Sequence, residues 1–197
     1  MSGVKIQLSR EEQEMAADTG IILTKNRILS AVMQQFGTLS EAEVAYTTKM
    51  RHQLPESIYM YPPKISRGEN YQQLPWVMLD YPRVFAPEAT LAIRHLFWWG
   101  NFFSCSLQVS GDFSQVLLGK MALWPEGTHV CVHASPWEHH FGPDNYLPVI
   151  GMDPQKIISL ATQGNFLKLS IVLPVSQWDS AQGFLFNGFS SWMKLLL

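Results

Sequence analysis

Apolar residues recur along this chain with two different periods, helical before about residue 53 and strand-like after residue 75. In the first part Met15, Ile22, Leu29, Val32, Met33 and Phe36 fall on one side of a 3.6-residue helix. Ser9 followed by Glu12 makes a capping box at its start, and Gly37 ends the pattern. Gly20, in the interior, costs about 1 kcal/mol relative to Ala and marks a bend. A second capping box, Ser40 with Glu43, has Leu39 and Val44 at the staple positions and predicts another helix from Glu41 to about His52. Residues 1–53 therefore read as an N-terminal helical hairpin.

Residues 54–75 carry Pro55, Pro62, Pro63, Gly68 and Pro75, which predict an irregular loop. Apolar runs of strand length follow: Trp76 to Leu79, Leu91 to Trp99, Phe102 to Val109, Thr128 to His133 and Phe166 to Leu173. Asp153-Pro154 starts a helix that Gly164 closes, and Phe184, Leu185, Phe189, Trp192 and Leu196 form the apolar stripe of a last one. The predicted class is α+β in a single domain, residues 1–197. It comprises the helical hairpin, an antiparallel sheet of about four to six strands over residues 76–197, and C-terminal helices packed on one face of that sheet.

Gly100-Asn101 between two strand-like runs reads as a two-residue hairpin loop, since both residue types tolerate positive φ. That loop predicts Trp99 opposite Phe102, His95 opposite Ser106 and Arg94 opposite Leu107. Arg94 then stands on an apolar wall of Leu96, Trp98, Phe103, Cys105, Leu107 and Val109, with His95, Ser104, Ser106 and Gln108 on the other face. A guanidinium among apolar neighbours needs a carboxylate, and Glu69 and Asp80 are the candidates. These residues, with Arg83, define a candidate pocket between the 55–75 loop and the sheet for a small anionic ligand.

Composition narrows the alternatives. A net charge of −2 without two adjacent Lys or Arg anywhere leaves no footprint for a phosphate backbone, so no nucleic-acid partner is expected. Lys5, Arg10, Glu11, Glu12 and Glu14 open the chain with no apolar segment behind them, and the densest apolar stretch, Leu96 to Phe103, is far short of the ~20 residues of a membrane span. Two isolated cysteines, Cys105 and Cys131, suit a reducing compartment, so a cytoplasmic protein without a membrane partner is expected.

A metal-dependent enzyme is the alternative reading, built on His129, Cys131 and His133 with His139 and His140. Strand geometry limits it, because His129 and His133 would stand ~13 Å apart. Ser135-Pro136-Trp137-Glu138 also reads as a capping box, which explains the segment without a metal, and no cofactor is predicted. Gly-x-Ser-x-Gly, phosphate-loop and dinucleotide fingerprints are absent from the sequence. Glu69 with Asp80 is the nearest thing to an acid–base carboxylate pair. A structural or protein-interaction module, associating as a homodimer through the N-terminal helices, is a further reading. The stretches Lys64 to Tyr71 (KISRGENY), Leu79 to Phe85 (LDYPRVF) and Phe97 to Asn101 (FWWGN) resemble segments of a family of uncharacterised bacterial hypothetical proteins. That family has no assigned activity, so the resemblance implies no site residue.

Overall fold

The computed structural model describes residues 7–86 and 89–197; Lys5 of the charged opening segment lies outside them. Ser9 caps the short helix α1 (Arg10–Ala17) as expected, its hydroxyl accepting from the Glu12 N–H at 3.1 Å while the Glu12 carboxylate accepts from the Ser9 N–H at 2.6 Å. The chain then bends at Asp18, whose carboxylate accepts from the Gly20 N–H at 2.7 Å and starts α2 (Thr19–Lys49).

The helix α2 runs for 31 residues without a break, so the expected helical hairpin is corrected to one long helix preceded by a short one. The second capping box does not form. Ser40 Oγ donates backwards to the Gly37 carbonyl at 2.7 Å, a bond made within a continuing helix. Glu43, freed from any capping role, points into the protein interior.

Among the described residues seven strands pair antiparallel throughout: β1 (Lys64–Tyr71), β2 (Leu74–Phe85), β3 (Thr90–Trp98), β4 (Phe102–Val109), β5 (His129–Cys131), β6 (Tyr146–Pro148) and β7 (Leu167–Pro174). Their order is β1-β2-β3-β4-β7-β5-β6. The α+β class holds, and the sheet exceeds the expected four to six strands because β1 arises from the segment read as an irregular loop and β6 from one to which no element was assigned. Prolines keep residues 55–63 out of the sheet, but Lys64–Tyr71 is its edge strand and not a loop. A tight turn at Gln72-Gln73, with φ of +48° and +66°, joins β1 to β2 without the Asn or Gly that usually signals it. Gly68 is the second disguised feature, since a Cβ there would meet the Trp76 indole at 2.6 Å.

The β3–β4 register also departs from expectation. Gly100 alone takes a positive φ, +71°, and the Asn101 N–H donates to the Trp98 carbonyl at 3.0 Å, so Gly100 is the third residue of a turn and not the first of a two-residue loop. The strands therefore close at Trp98–Phe102, and Arg94 pairs with Ser106 and His95 with Cys105. A shift of one residue transfers every side chain of one strand to the other face of its partner. Arg94 thereby joins Leu96, Trp98, Phe102, Ser104, Ser106 and Gln108, while His95 joins Phe97, Phe103, Cys105 and Leu107.

Helices α2 and α5 (Ala181–Leu195) cover the His95 face, where Leu29, Phe36, Leu79, Ile93, Phe97, Phe103, Leu185, Phe189 and Trp192 share one buried cluster. Helix α4 (Pro154–Gly164), capped by Asp153, adds Ile157 and Ala161 to it, and α3 (Asp112–Leu118) adds Leu117. The C-terminal helices thus pack on one face as predicted. Closeness of α5 to the sheet depends on Gly188, where a Cβ would stand 2.7 Å from Ile171 Cδ1 and 3.2 Å from Cys105 Sγ. Gly188→Ala is expected to lower stability by about 1–3 kcal/mol through overpacking. At Gly183, where a Cβ meets nothing within 4 Å, the same change is expected to stabilise by up to about 1 kcal/mol. Urea midpoints of the two variants check this, and equal shifts would contradict it.

Candidate functional site

The face away from α2 and α5 carries a polar row straight across the sheet. Asp80 pairs with Arg94, Arg94 with Ser106, Ser106 with Ser170 and Ser170 with His129, each on its own strand at one level. Arg94 meets Asp80 through two bonds, Nε to Oδ1 at 2.6 Å and Nη2 to Oδ2 at 3.2 Å. This answers the demand for a carboxylate, and Asp80, not Glu69, is the partner. Beside them Ser106 Oγ and Ser170 Oγ lie 2.8 Å apart. The Tyr146 hydroxyl is buried against this serine pair without completing a well-formed hydrogen bond to either. Its removal from water raises its pKa above the ordinary tyrosine value.

One step further along β7, on the same face, stands Lys168, only 2% exposed. Its ammonium donates to the carbonyls of Pro136 at 2.8 Å and Glu138 at 2.6 Å. Among the described residues no carboxylate lies within 4.0 Å of it. Burial, reinforced by repulsion from Arg94 and offset in part by Cys131 and Glu138, pushes its pKa down to about 8. An ammonium near its titration point, next to a guanidinium and three hydroxyls, is a grouping that favours anions.

The roof over this layer is the segment from Val132 to Asn145, whose ends are joined by the Val132 N–H donating to the Asn145 carbonyl at 2.8 Å. Such closed, compact surface loops are recurrent functional elements. Here the expected capping box at Ser135 starts no helix; Ser135 Oγ accepts from the Trp137 N–H at 3.3 Å within an irregular turn. Three ties hold the roof down. Lys168 grips two of its carbonyls, and the Tyr71 hydroxyl accepts from the N–H groups of His139 and His140 at 2.8 and 3.1 Å while donating to Glu138 at 3.1 Å. The third tie is aromatic, with Phe141 stacked on Tyr146 at 4.5 Å and Trp137 over the Arg94 guanidinium at 5.4 Å. His139, inside the roof, is held well below the usual histidine pKa by burial and by the Lys168 and Arg94 charges, so its imidazole is neutral.

The remaining candidate residues separate. Ser104 and Gln108 share the Arg94 face, Gln108 pairing with Lys168. Arg83 lies at the sheet margin and donates to the Pro62 carbonyl at 2.8 Å, and Glu69 binds Lys25 at 2.6 Å, so neither enters the site. Glu69 and Asp80, held by different cations, make no carboxylate pair. Of the 55–75 segment expected to wall a pocket against the sheet, Lys64–Tyr71 is instead β1, paired with β2 within the sheet. His95 is on the opposite face, its Nε2 2.6 Å from Glu43 Oε1, with both residues 0% exposed. Among the described residues no three His, Cys, Asp or Glu side chains converge in a metal-binding group. His129 is turned to the Gly127 carbonyl, His133 is bonded to the Ser135 backbone, and Cys131 faces Asn145.

Lys168, Ser170, Tyr146 and Tyr71 are site residues that pattern reading missed, and Glu43, read as a capping residue, is a buried core-polar one. One signal for the first two was present: in the run Phe166 to Leu173 the only polar residues, Lys168 and Ser170, alternate and so share a face.

The fold and site together define an α+β protein with a seven-stranded antiparallel sheet, helices on one face and a roofed polar layer on the other. No protein-family model, curated protein or solved structure matches the chain. Among the described residues no helix is long and apolar enough to cross a membrane.

Proposed function

We propose that this chain is a binding domain for a small anionic ligand, which enters beneath the 132–145 roof and lies against Lys168, Arg94 and the Ser106, Ser170 and Tyr146 hydroxyls. The observation that carries the reading is the Lys168 ammonium, almost fully buried, hydrogen-bonded among the described residues to two neutral roof carbonyls and set 5.4 Å from the Tyr146 ring, with no carboxylate partner. A carboxylate or phosphate oxygen is a stronger partner for a buried ammonium than a neutral carbonyl, because the bond is charge-assisted from both sides. Roof and ligand therefore compete for the same three N–H donors, and binding releases the roof at Pro136 and Glu138. Arg94, already neutralised by Asp80, orients the ligand and contributes field more than a free charge. Both cysteines are buried and unpaired, which supports a cytoplasmic setting for this role.

Thermal unfolding at pH 7 with a panel of small mono- and dicarboxylates and phosphates tests the reading. An anion at about a hundred times its Kd contributes about 2.7 kcal/mol and raises Tm by roughly 5–10 °C in a chain of this size. Lys168→Met is expected to abolish the shift, and the wild-type shift is expected to shrink as pH rises past about 8, where Lys168 loses its charge. An unchanged shift in Lys168→Met, or no stabilisation by any anion, would overturn the assignment.

A further inference from the structure

The N-terminal arm is built unlike the rest of the molecule. Helix α1 buries none of its residues, and the first residue that α2 buries is Leu29, so two helical segments extend beyond the core. A helix of eight residues does not sustain itself in water, where about 12–15 are needed even for favourable sequences. Directly after it, Ile21, Ile22 and Leu23 are exposed by 45%, 55% and 65%. Three consecutive residues sweep about 200° of a helix, so these cannot all turn toward their own sheet, and a helix segment apolar around most of its girth is normally covered. The same surface continues into an apolar cavity of about 480 Å³, where Ile28 and Ala31 of α2 meet Phe97, Trp99, Val175 and Trp178.

Charge on the arm is divided along its length. Glu11, Glu12, Glu14 and Asp18 lie before the apolar triplet with one described base, Arg10, which is paired to Glu14 at 3.0 Å, and Lys25 and Arg27 lie after it. Lys25 is held by Glu69, whereas Arg27, at the rim of the cavity, has no carboxylate within 4.0 Å among the described residues. Antiparallel two-fold pairing centred between Ile22 and Leu23 opposes residues equally spaced before and after that midpoint. It thus brings Asp18 of one copy beside Arg27 of the other while the apolar triplets meet in the middle. A parallel pairing would instead set like charges together.

From this charge division and the uncovered triplet we infer that the arm is the seam of a homodimer, two copies of α2 crossing antiparallel at Ile21–Leu23, with the acidic end of each arm over the other's Arg27. The contact is isologous, as a two-fold dimer requires, and is independent of the ligand site on the opposite sheet face.

Sedimentation of the full chain at neutral pH and low salt tests it. Wild type is expected to sediment at twice the 22.4 kDa chain mass. Ile22→Asp is expected to sediment as a monomer, its dimer Kd raised about a hundredfold or more, with far-UV circular dichroism of the folded sheet retained because Ile22 is exposed. Arg27→Glu is expected to weaken the dimer by about tenfold at low salt and less at high salt, as screened charges do. A wild-type chain that stays monomeric, or an Ile22→Asp dimer as tight as wild type, would overturn the inference.

Discussion

His95→Leu is expected to cost about 3–5 kcal/mol of stability, the range for removing one member of a fully buried ion pair. The Glu43 carboxylate has Oε1 bonded to His95 Nε2 and no hydrogen-bond partner for Oε2, so the variant leaves the whole group unsatisfied beneath α2. Replacing both, as Glu43→Met with His95→Leu, is expected to recover most of the loss, because two apolar groups of similar volume remove the desolvation cost with the bond. Urea unfolding of the two variants at pH 7 distinguishes these outcomes, and a double variant as unstable as the single one would contradict the pairing.

The same pair sets a pH dependence. Burial by itself would lower the His95 pKa, but the Glu43 carboxylate and neighbouring Cys105 outweigh it and lift the group to about 10. On the acid, burial acts the other way and raises the Glu43 carboxyl, so the pair holds its proton more tightly than the unfolded chain does. Above pH 6.5 the unfolded histidine has released a proton that the native one retains, so stability falls as pH rises from there toward 10. Lys168, depressed to about 8, acts in the opposite sense above that pH. Between pH 6.5 and 8 only the fall is expected, by up to roughly 1 kcal/mol per pH unit, and it disappears in the double variant.

Asp80→Leu is expected to destabilise by about 3 kcal/mol, the low end for a broken buried pair, since 13% of the Arg94 and 11% of the Asp80 side chain remain exposed. Arg94→Met is expected to cost less. A lone carboxyl can take up a proton, whereas a lone guanidinium keeps its charge at any working pH and would have to drag the strand toward water. Arg94→Met also removes the cation beneath Trp137, so faster amide hydrogen exchange confined to the 132–145 roof is expected in that variant. Equal costs for the two substitutions would show that solvent, and not Asp80, neutralises Arg94.

Much of the secondary structure was legible in local pattern. The Ser9–Glu12 box, the Asp153 cap and the α5 stripe all form where short-range rules place them. Legibility failed where one local signal had two physical outcomes. Ser40 either caps a helix or bonds back within one, and only the burial of Glu43 against His95 selects the second. Gln72-Gln73 adopts a turn that its residue types disfavour because the paired strands β1 and β2 impose it. Gly100 tolerates a positive φ at either of two turn positions, and the two choices put Arg94 on opposite faces.

Local sequence thus determined the α+β class, the capped starts of α1 and α4 and the need of Arg94 for a carboxylate, since these follow from periodicity, capping and the cost of burying a charge. Tertiary structure decided the β3–β4 register, the choice of Asp80 over Glu69, and the meeting of Lys168 with Tyr146 and Ser106 under a roof from another part of the chain. The reason is separation: strand partners 14 to 64 residues apart in sequence, as Asp80–Arg94 and Ser106–Ser170 are, are brought together by pairing and packing energies that no short window contains.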